Sequence, residues 1–229
     1  SKFEFKNNLI SFNKHNSFNK IPRMISHLND GKSLALVSDA GMPSICDPGE
    51  DLIKEAKSNG LKIICIPGPC AVITALVSSG FASSKFTFEG FLPKKKAERN
   101  KILLEISKNE KTTILFESPH RLKKLLFELK EYFGGDREIK ISRELTKKFE
   151  EHIGNNINQV LEHFESKNIN GEFTILIKGI EKTRNLDIDK LRLKKELNEL
   201  IEAGLSLSAA SKYLAKRENI AKSIIYKLH

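Results

Sequence analysis

Cysteine is scarce in this sequence and never has the spacing of a metal site. Cys46, Cys65 and Cys70 are the only three, and none belongs to a CxxC pair. An odd number of cysteines without such spacing supports neither a disulfide framework nor a zinc site. We therefore expect three reduced thiols in the core and no bound metal.

Long apolar runs and glycine-rich phosphate loops are also missing. No apolar run approaches the roughly twenty residues that span a bilayer, and the polar start of the chain does not resemble a signal peptide. GxGxxG and GxxxxGK[ST] do not occur, which leaves dinucleotide and nucleoside-triphosphate binding without support. These absences predict a cytoplasmic protein that does not contact membranes.

Basic residues outnumber acidic ones. The 229 residues include 39 Lys and Arg against 29 Asp and Glu, which gives a formal net charge of +10. Such an excess favours polyanionic partners, because their condensed counterions are released on binding. A lysine-rich surface without a nucleic-acid partner explains the same numbers equally well. The distribution of the charge has to decide between the two.

Two short apolar runs, at residues 34–37 and 61–66, each stop at small residues, glycine and proline. With helices predicted around residues 21–28, 50–58 and 71–77, this alternation predicts a parallel sheet with covering helices. Loops at the carboxyl ends of such strands form ligand crevices. The carboxylate of Asp39 can accept hydrogen bonds from ribose hydroxyls, although it can also cap the next helix. The small residues that leave room for a ligand are Ala40, Gly41, Cys70 and Ala71.

The middle of the chain has a different pattern, with strands predicted at residues 86–91, 112–116, 138–142, 148–153 and 171–177 and helices after Pro119 and from Ile157. From residue 181 only helical periodicity remains, in three short helices for which Ser206 or Ser208 and then Asn219 are candidate caps. We therefore predict an α/β protein of three domains, at residues 1–83, 84–180 and 181–229. The last resembles a helix-turn-helix unit, and both nucleic-acid contact and a structural or dimerisation role are open for it.

Six motifs carry a resemblance that extends over almost the whole chain. They are, in order, Ser38-Asp39-Ala40-Gly41, Pro67-Gly68-Pro69-Cys70-Ala71, Phe88-Glu89-Gly90-Phe91-Leu92-Pro93, Glu117-Ser118-Pro119-His120-Arg121, Arg143-Glu144-Leu145-Thr146-Lys147 and Gly171-Glu172-Phe173-Thr174-Ile175-Leu176. Together they resemble the ribosomal RNA small subunit methyltransferase I family of the tetrapyrrole-methylase superfamily.

This resemblance implies both a fold and an activity. The implied fold has two α/β domains with S-adenosylmethionine between them, followed by a small helical domain, in a homodimer. The implied reaction methylates the ribose 2′-hydroxyl of a cytidine in small-subunit (16S) ribosomal RNA, either as RNA or in the assembled subunit. The family also has two N-terminal strands, one with a proline-isoleucine-glycine-asparagine loop, that do not occur in this chain. We therefore expect a chain truncated at its start.

A ribose hydroxyl is a poor nucleophile until its proton is taken up, so a base or a positioning carboxylate should lie near the methyl group. Glu117 and Glu144 are our candidates, with Arg121 and Lys147 beside them and His120 a further possibility. A structural ion-pair network is the alternative for each. The residues that we expect to contact the cofactor are Asp39, Ala40, Gly41, Cys70, Ala71 and Phe116. Those that we expect to contact RNA phosphates are Lys94, Lys95, Lys96, Arg99 and Arg143. The alternative for the basic run is a solvated helix start.

Two other functions compete with this hypothesis. A tetrapyrrole C-methyltransferase would share the superfamily, but the basic run and the Ser38-Asp39-Ala40-Gly41 loop argue against it. A non-catalytic RNA-binding fragment would keep the basic residues and lose the chemistry. Binding of labelled cofactor separates that fragment from either enzyme.

Overall fold

The computed structural model describes residues 8–13, 16–181, 190–218 and 220–229. The chain divides into two compact units, Ser1–Ile180 and Glu181–His229. A further boundary between residues 83 and 84 stays a prediction. Of the helices within the described ranges, none combines the length and the apolar character that a membrane crossing requires.

The first unit is built around a five-stranded mixed sheet. Its strand order is β1-β2-β5-β3-β4; β1 and β2 are parallel and every other neighbouring pair is antiparallel. The α/β class of the fold is therefore confirmed. The strands are β1 (Phe86–Phe91), β2 (Thr112–Glu117), β3 (Glu138–Arg143), β4 (Glu151–Asn156) and β5 (Phe173–Ile177), and the helices are α1 (Ser17–Asn29), α2 (Glu50–Ser58), α3 (Ala71–Ser79), α4 (Lys96–Ser107), α5 (Pro119–Phe133) and α6 (Ile157–His163).

Helix α5 shows how the local sequence produces these elements. Pro119 stands at its first turn, where the missing N–H of proline costs nothing. Gly134 ends the helix with φ +80°, a conformation that glycine adopts without strain. Four leucines at helical spacing are fully buried and join the main core below the sheet: Leu122, Leu125, Leu126 and Leu129. Burying each stabilises the fold by about 1.5–3 kcal/mol.

The sheet directs three strand ends to one edge. Because β1, β2 and β3 run in the same direction, they all end there, while β5 begins there. Glu117 and Arg143 both pair with Phe173 of β5, and Phe91 pairs with Phe116. Four of the six motifs therefore meet at this edge.

Helix α3 covers the opposite face of the sheet from α5. Val72, Ala75 and Leu76 pack against Ile114 and Leu176 in a second core cluster. Since side chains alternate between the faces of a strand, Ile114 of β2 belongs to this cluster while its neighbour Leu115 belongs to the main one. The start of α3, and with it the predicted cofactor loop, is thereby held on this face.

The strands predicted at residues 34–37 and 61–66 are wrong. Both segments are irregular, and no backbone hydrogen bond joins residues 33–37 or 62–67 to any described part of the chain. Val37, Ile64 and Ile66 are largely exposed. A strand requires a neighbour to pair with its N–H and C=O groups, and the described residues supply none here. Apolar content alone therefore gave a false strand signal.

Two smaller predictions also need correction. Cys46 and Cys65 are exposed and only Cys70 is partly buried, so the three cysteines are not core residues. Their segments lack the sheet that would have buried them. Strand β4 begins three residues later than predicted, because residues 144–150 form a tight loop closed by backbone bonds from Lys147 to Glu144 and from Glu150 to Lys147.

The second unit is helical, as predicted, with α7 (Lys190–Glu202), α8 (Leu207–Arg217) and α9 (Lys222–Tyr226). Ser206 caps α8, since its side chain accepts a hydrogen bond from the backbone of Ala209. The predicted cap Asn219 lies outside the described residues, and Ala221 precedes α9. Leu193, Leu197, Ala210, Leu214 and Ile225 form the buried core of this unit.

Candidate active site

The two predicted cofactor loops lie against one another. A Cβ built on Gly41 would meet the carbonyl oxygen of Pro69 at 3.6 Å, and one built on Gly68 would meet Cγ of Met42 at 3.7 Å. Gly41 has φ +81°, so a larger residue there would be strained as well. Asp39 is exposed beside this contact. An adenosine-type ligand requires open space beside small residues and a carboxylate that accepts hydrogen bonds from its ribose hydroxyls, and these residues fit such a ligand.

The second loop continues into an aromatic cluster at the sheet edge. Cys70, Phe116 and Leu145 are partly buried and pack on the α3 core cluster. The ring of Phe116 lies 5.0 Å from that of Phe88, edge to face, and 5.7 Å from that of Phe91. The structure therefore brings one of the predicted cofactor loops, Phe116 and the 143–147 motif to the same cluster.

Glu117 lies in a buried ion network rather than at an open surface. Its side chain is fully buried, its Oε1 is 3.2 Å from Nε of Arg121, and its Oε2 is 3.7 Å from Nη2 of Arg99. The backbone N–H of Ser118 donates to Oε1 at 2.9 Å. A carboxylate enclosed by two guanidinium groups is suited to positioning. As a proton acceptor it would lack access to substrate.

Arg99 departs from the prediction that it binds RNA phosphates. Only 4% of the residue is exposed, and its Nε donates to Oε2 of Glu128 at 2.7 Å. The helical turn from Lys96 directs Arg99 inward, towards α5. Its guanidinium is consequently not available to a phosphate in this structure.

The lysines at residues 94–96, here called the basic segment, are exposed as predicted from their sequence. One of them, Lys95, pairs with Glu98 at 3.2 Å on the surface. Such exposed pairs are worth about 0–1 kcal/mol, so this contact leaves Lys95 able to change partners. His120 is exposed too.

The second predicted catalytic pair is a compact cluster at the end of β3. Nζ of Lys147 lies 2.9 Å from Oε1 of Glu144 and 3.0 Å from Oε2 of Glu172. The backbone N–H of Glu172 also donates to Oε1 of Glu144 at 2.9 Å. Glu144 and Thr146 have φ of +51° and +63°, a costly conformation for residues other than glycine that recurs at functional sites.

These contacts change the ionisation of the cluster. The hydrogen bond from Lys147, assisted by the backbone N–H of Glu172, lowers the pKa of Glu144 below its ordinary value. The hydrogen bonds to Glu144 and Glu172 raise the pKa of Lys147. A general base works best with a pKa near the operating pH, so the lowered pKa suits Glu144 to a positioning role.

Arg143 is near this cluster in sequence but has its own partners. Its Nη1 lies 3.2 Å from Oε2 of Glu151, and its Nε donates to the carbonyl of Asn170 at 2.7 Å. The edge thus holds three separate groups of charges, centred on Glu117, Glu144 and Arg143. Among the described residues, no group of three or more His, Cys, Asp or Glu side chains is arranged to hold a metal ion.

Sequence reasoning missed Glu128 and Glu172 as members of these groups. Glu128 lies in the middle of α5, where an acidic residue among lysines gives no sign of a buried partner. Glu172 had a usable signal, because Gly171-Glu172 opens the sixth motif and stands directly before β5. A close approach of backbone to Glu144 requires Gly171, whose φ is +97°.

Comparison with known proteins agrees with this geometry. The family model described as "Tetrapyrrole (Corrin/Porphyrin) Methylases" matches residues 9–161. A "Ribosomal RNA small subunit methyltransferase I" of Synechocystis is 35% identical over 99% of this chain and 81% of its own length. Proteins of the same name from Bacillus subtilis and Thermotoga maritima are 36% and 41% identical, over 98% and 79% of this chain and 78% and 81% of their own lengths.

Solved structures show the same fold at much lower identity. Cobalt precorrin-4 methyltransferase has a TM-score of 0.52 at 18% identity and covers 69% of each chain. A uroporphyrin-III-C-methyltransferase from Thermus thermophilus has a TM-score of 0.51 at 15% identity, over 76% of this chain and 74% of its own. Fold and sequence relatives together show that this chain belongs to the tetrapyrrole methylase family and, within it, to the ribosomal RNA small subunit methyltransferase I family.

Proposed function

We propose that this protein transfers a methyl group from S-adenosylmethionine to the ribose 2′-hydroxyl of a cytidine in small-subunit ribosomal RNA. The methyltransferase activity and the methyl donor are those of its family. One observation supports the ribose of small-subunit RNA as the methyl acceptor. Small-residue loops, charged clusters and an exposed basic segment lie around one edge of the sheet, in a chain that is 35–41% identical to small-subunit ribosomal RNA methyltransferases.

The cofactor would be held by the two adjoining loops. Asp39 offers a carboxylate to the ribose hydroxyls or the ammonium group, Gly41 and Ala71 leave space for the ligand, and Phe116 with Cys70 closes an apolar side. When bound, S-adenosylmethionine supplies a methyl group on a sulfonium, which is already a strong electrophile. The remaining work of the protein is therefore alignment of the ribose oxygen with that methyl carbon.

The charged groups of the edge would orient the RNA. Glu144, held ionised by Lys147, can accept a hydrogen bond from a ribose hydroxyl and fix its direction. Arg143 and the basic segment supply positive charge for neighbouring phosphates. We assign Glu117 and Arg121 a positioning role, because their contacts are with protein groups inside the fold.

We further propose that the enzyme works in the cytoplasm, where ribosomal subunits are assembled. We also propose that it is a homodimer, the state that the family resemblance implies. Exposed apolar side chains on α3, Ile73 and Val77, are consistent with a covered surface. Sedimentation at micromolar concentration checks the dimer: a single species of monomer mass would contradict it.

Transfer of labelled methyl groups tests the enzymatic proposal. The chain is incubated with S-adenosylmethionine carrying a labelled methyl group and, in parallel, with small ribosomal subunits, protein-free small-subunit RNA and a tetrapyrrole precursor. We expect label in one of the two ribosomal substrates and none in the tetrapyrrole. Label in the tetrapyrrole alone would refute the RNA substrate, and cofactor binding without any transfer would indicate a non-catalytic fragment.

A further inference from the structure

Two arginine contacts fix the chain on either side of the basic segment. Before it, Nη2 of Arg121 donates to the carbonyl oxygen of Leu92 at 2.7 Å. After it, Nε of Arg99 donates to Oε2 of Glu128 at 2.7 Å. Leu92 itself is buried in the main core. The three lysines are thus carried on a short span of chain whose two ends are both anchored.

Both anchors converge on Glu117. Its Oε1 contacts Arg121 at 3.2 Å and its Oε2 faces Arg99 at 3.7 Å. The carboxylate is rigid, since Glu117 ends strand β2, its side chain is fully buried, and the N–H of Ser118 binds it. One buried anion therefore ties the start of α5 and the first turn of α4 to the end of the sheet.

Stability alone gives little reason for this arrangement. Desolvating an ion pair offsets most of its Coulomb attraction, and well-packed apolar residues of similar volume are often as stabilising. In addition, within the described residues neither Oε2 of Glu117 nor Nη1 of Arg99 has a hydrogen-bond partner. What the network does provide is a fixed geometry, because guanidinium groups bind in defined planar directions.

We propose that Glu117, Arg99 and Arg121 are positioning residues that preorganise the basic segment for the phosphates of the RNA substrate. This inference rests on the proposed function, which makes RNA the substrate. Binding to RNA costs conformational entropy, because the lysine side chains lose rotamer freedom. If the backbone of the segment is already ordered in the free protein, no further entropy is lost in ordering it. The network thereby acts on RNA affinity without touching RNA.

Limited proteolysis tests the anchoring independently of RNA. Trypsin cleaves after lysine only where the backbone can open, so cleavage after Lys94, Lys95 and Lys96 measures opening of the segment. Arg121→Gln should speed this cleavage by about tenfold, which corresponds to the loss of one hydrogen bond to a charged group. Glu128→Gln should speed the cleavage to the same extent, because it weakens the contact that holds Arg99. Since Glu128 is partly exposed, this variant also serves if Arg121→Gln folds poorly.

Arg137→Gln is the matched control. Arg137 also donates a 2.7 Å hydrogen bond to a backbone carbonyl, that of Lys178, but at the opposite end of the sheet. It should alter overall stability to a similar extent and leave cleavage of the basic segment unchanged. If the segment is cleaved equally slowly in Arg121→Gln, Glu128→Gln and Arg137→Gln, the anchoring is refuted.

Methyl transfer kinetics with small ribosomal subunits form the second arm. For Arg121→Gln we expect KM for the subunit to rise about fivefold or more, with kcat changed less than about twofold, because the change acts on binding. Arg121→Lys should recover part of the effect. Faster cleavage with an unchanged KM would overturn the assignment of the segment to RNA. Absence of transfer by the unmodified chain would refute the proposed function itself, whatever the cleavage rates.

Discussion

Replacing Gly171 by alanine should disturb the Glu144 cluster specifically. The added Cβ would lie 2.7 Å from Cγ and 2.8 Å from Oε1 of Glu144, distances that force the carboxylate to move. Displacement breaks its hydrogen bond to the backbone of Glu172, worth about 1–2 kcal/mol at this partly exposed position. The backbone conformation, with φ +97°, adds about 1–2 kcal/mol for a residue with a side chain. The free energy of unfolding of the first unit should therefore fall by about 2–4 kcal/mol in total.

Gly80→Ala separates the two contributions. Gly80 also has a positive φ, +73°, but a Cβ there would meet no atom within 4 Å, so this variant should lose only the backbone contribution of about 1–2 kcal/mol. Urea unfolding followed by hydrogen exchange in residues 86–177 measures the first unit alone. In a Glu144→Ala background, Gly171→Ala should cost no more than Gly80→Ala. Equal losses of stability in the two glycine variants of the unmodified chain would refute a contact between the added Cβ and Glu144 as the cause, as would an excess loss for Gly171→Ala that persists without Glu144.

Three further predictions concern charge. The hydrogen bond from Lys147 is the chief cause of the lowered pKa of Glu144. The ionised carboxylate therefore stabilises the fold fully above the ordinary pKa of 4.5, and this stabilisation is lost as the pH falls through the lower pKa of the folded state. In Glu144→Gln, the urea midpoint of unfolding should fall less steeply as the pH is lowered. Changing Lys94, Lys95 and Lys96 to alanine should reduce the slope of log affinity for RNA against log salt by about 2, at about 0.7 per phosphate contact on single strands. Asp39→Asn should weaken S-adenosylmethionine binding by about tenfold or more, measured by calorimetry, because a charge-assisted hydrogen bond is lost.

Two of these variants have a control elsewhere in the first unit. Lys54, Lys57 and Lys62 are exposed, and their replacement by alanine removes the same charge without changing the basic segment. An equal fall in salt slope would show a nonspecific charge effect. Asp51 is an exposed carboxylate in the first turn of α2, and weaker cofactor binding in Asp51→Asn would contradict the specific role of Asp39. If the urea midpoint of Glu144→Gln still falls steeply as the pH is lowered, other carboxylates cause that fall.

Local sequence signals predicted the sheet of the first unit well. Alternating residues located β1, and Pro119 with four spaced leucines located α5, because proline geometry and apolar periodicity act within a few residues. The segments at 34–37 and 61–66 show the limit of this reasoning. Their apolar composition matches buried strands, but a strand exists only with a partner, and partners are distant in sequence.

The motifs at the ends of β1, β2 and β3 could be located from the sequence, and they meet at one edge because parallel strands end together. Their side-chain partners could not be located in this way. The environment of Glu117 was not visible, because its neighbours Arg99 and Glu128 come from two helices whose packing no local pattern reveals. The inward direction of Arg99 was hidden for a similar reason: the lysine-rich start of α4 matches a solvated helix start, and only Arg99, Leu103 and Ile106 of this helix are buried.

The identity of the methylated nucleoside decides whether the protein is a cytidine 2′-O-methyltransferase. Small ribosomal subunits that lack this modification are incubated with the protein and S-adenosylmethionine carrying a labelled methyl group, and their RNA is digested to nucleosides for mass spectrometry. We expect the label in 2′-O-methylcytidine. Label on a base, or in the ribose of another nucleoside, would contradict it.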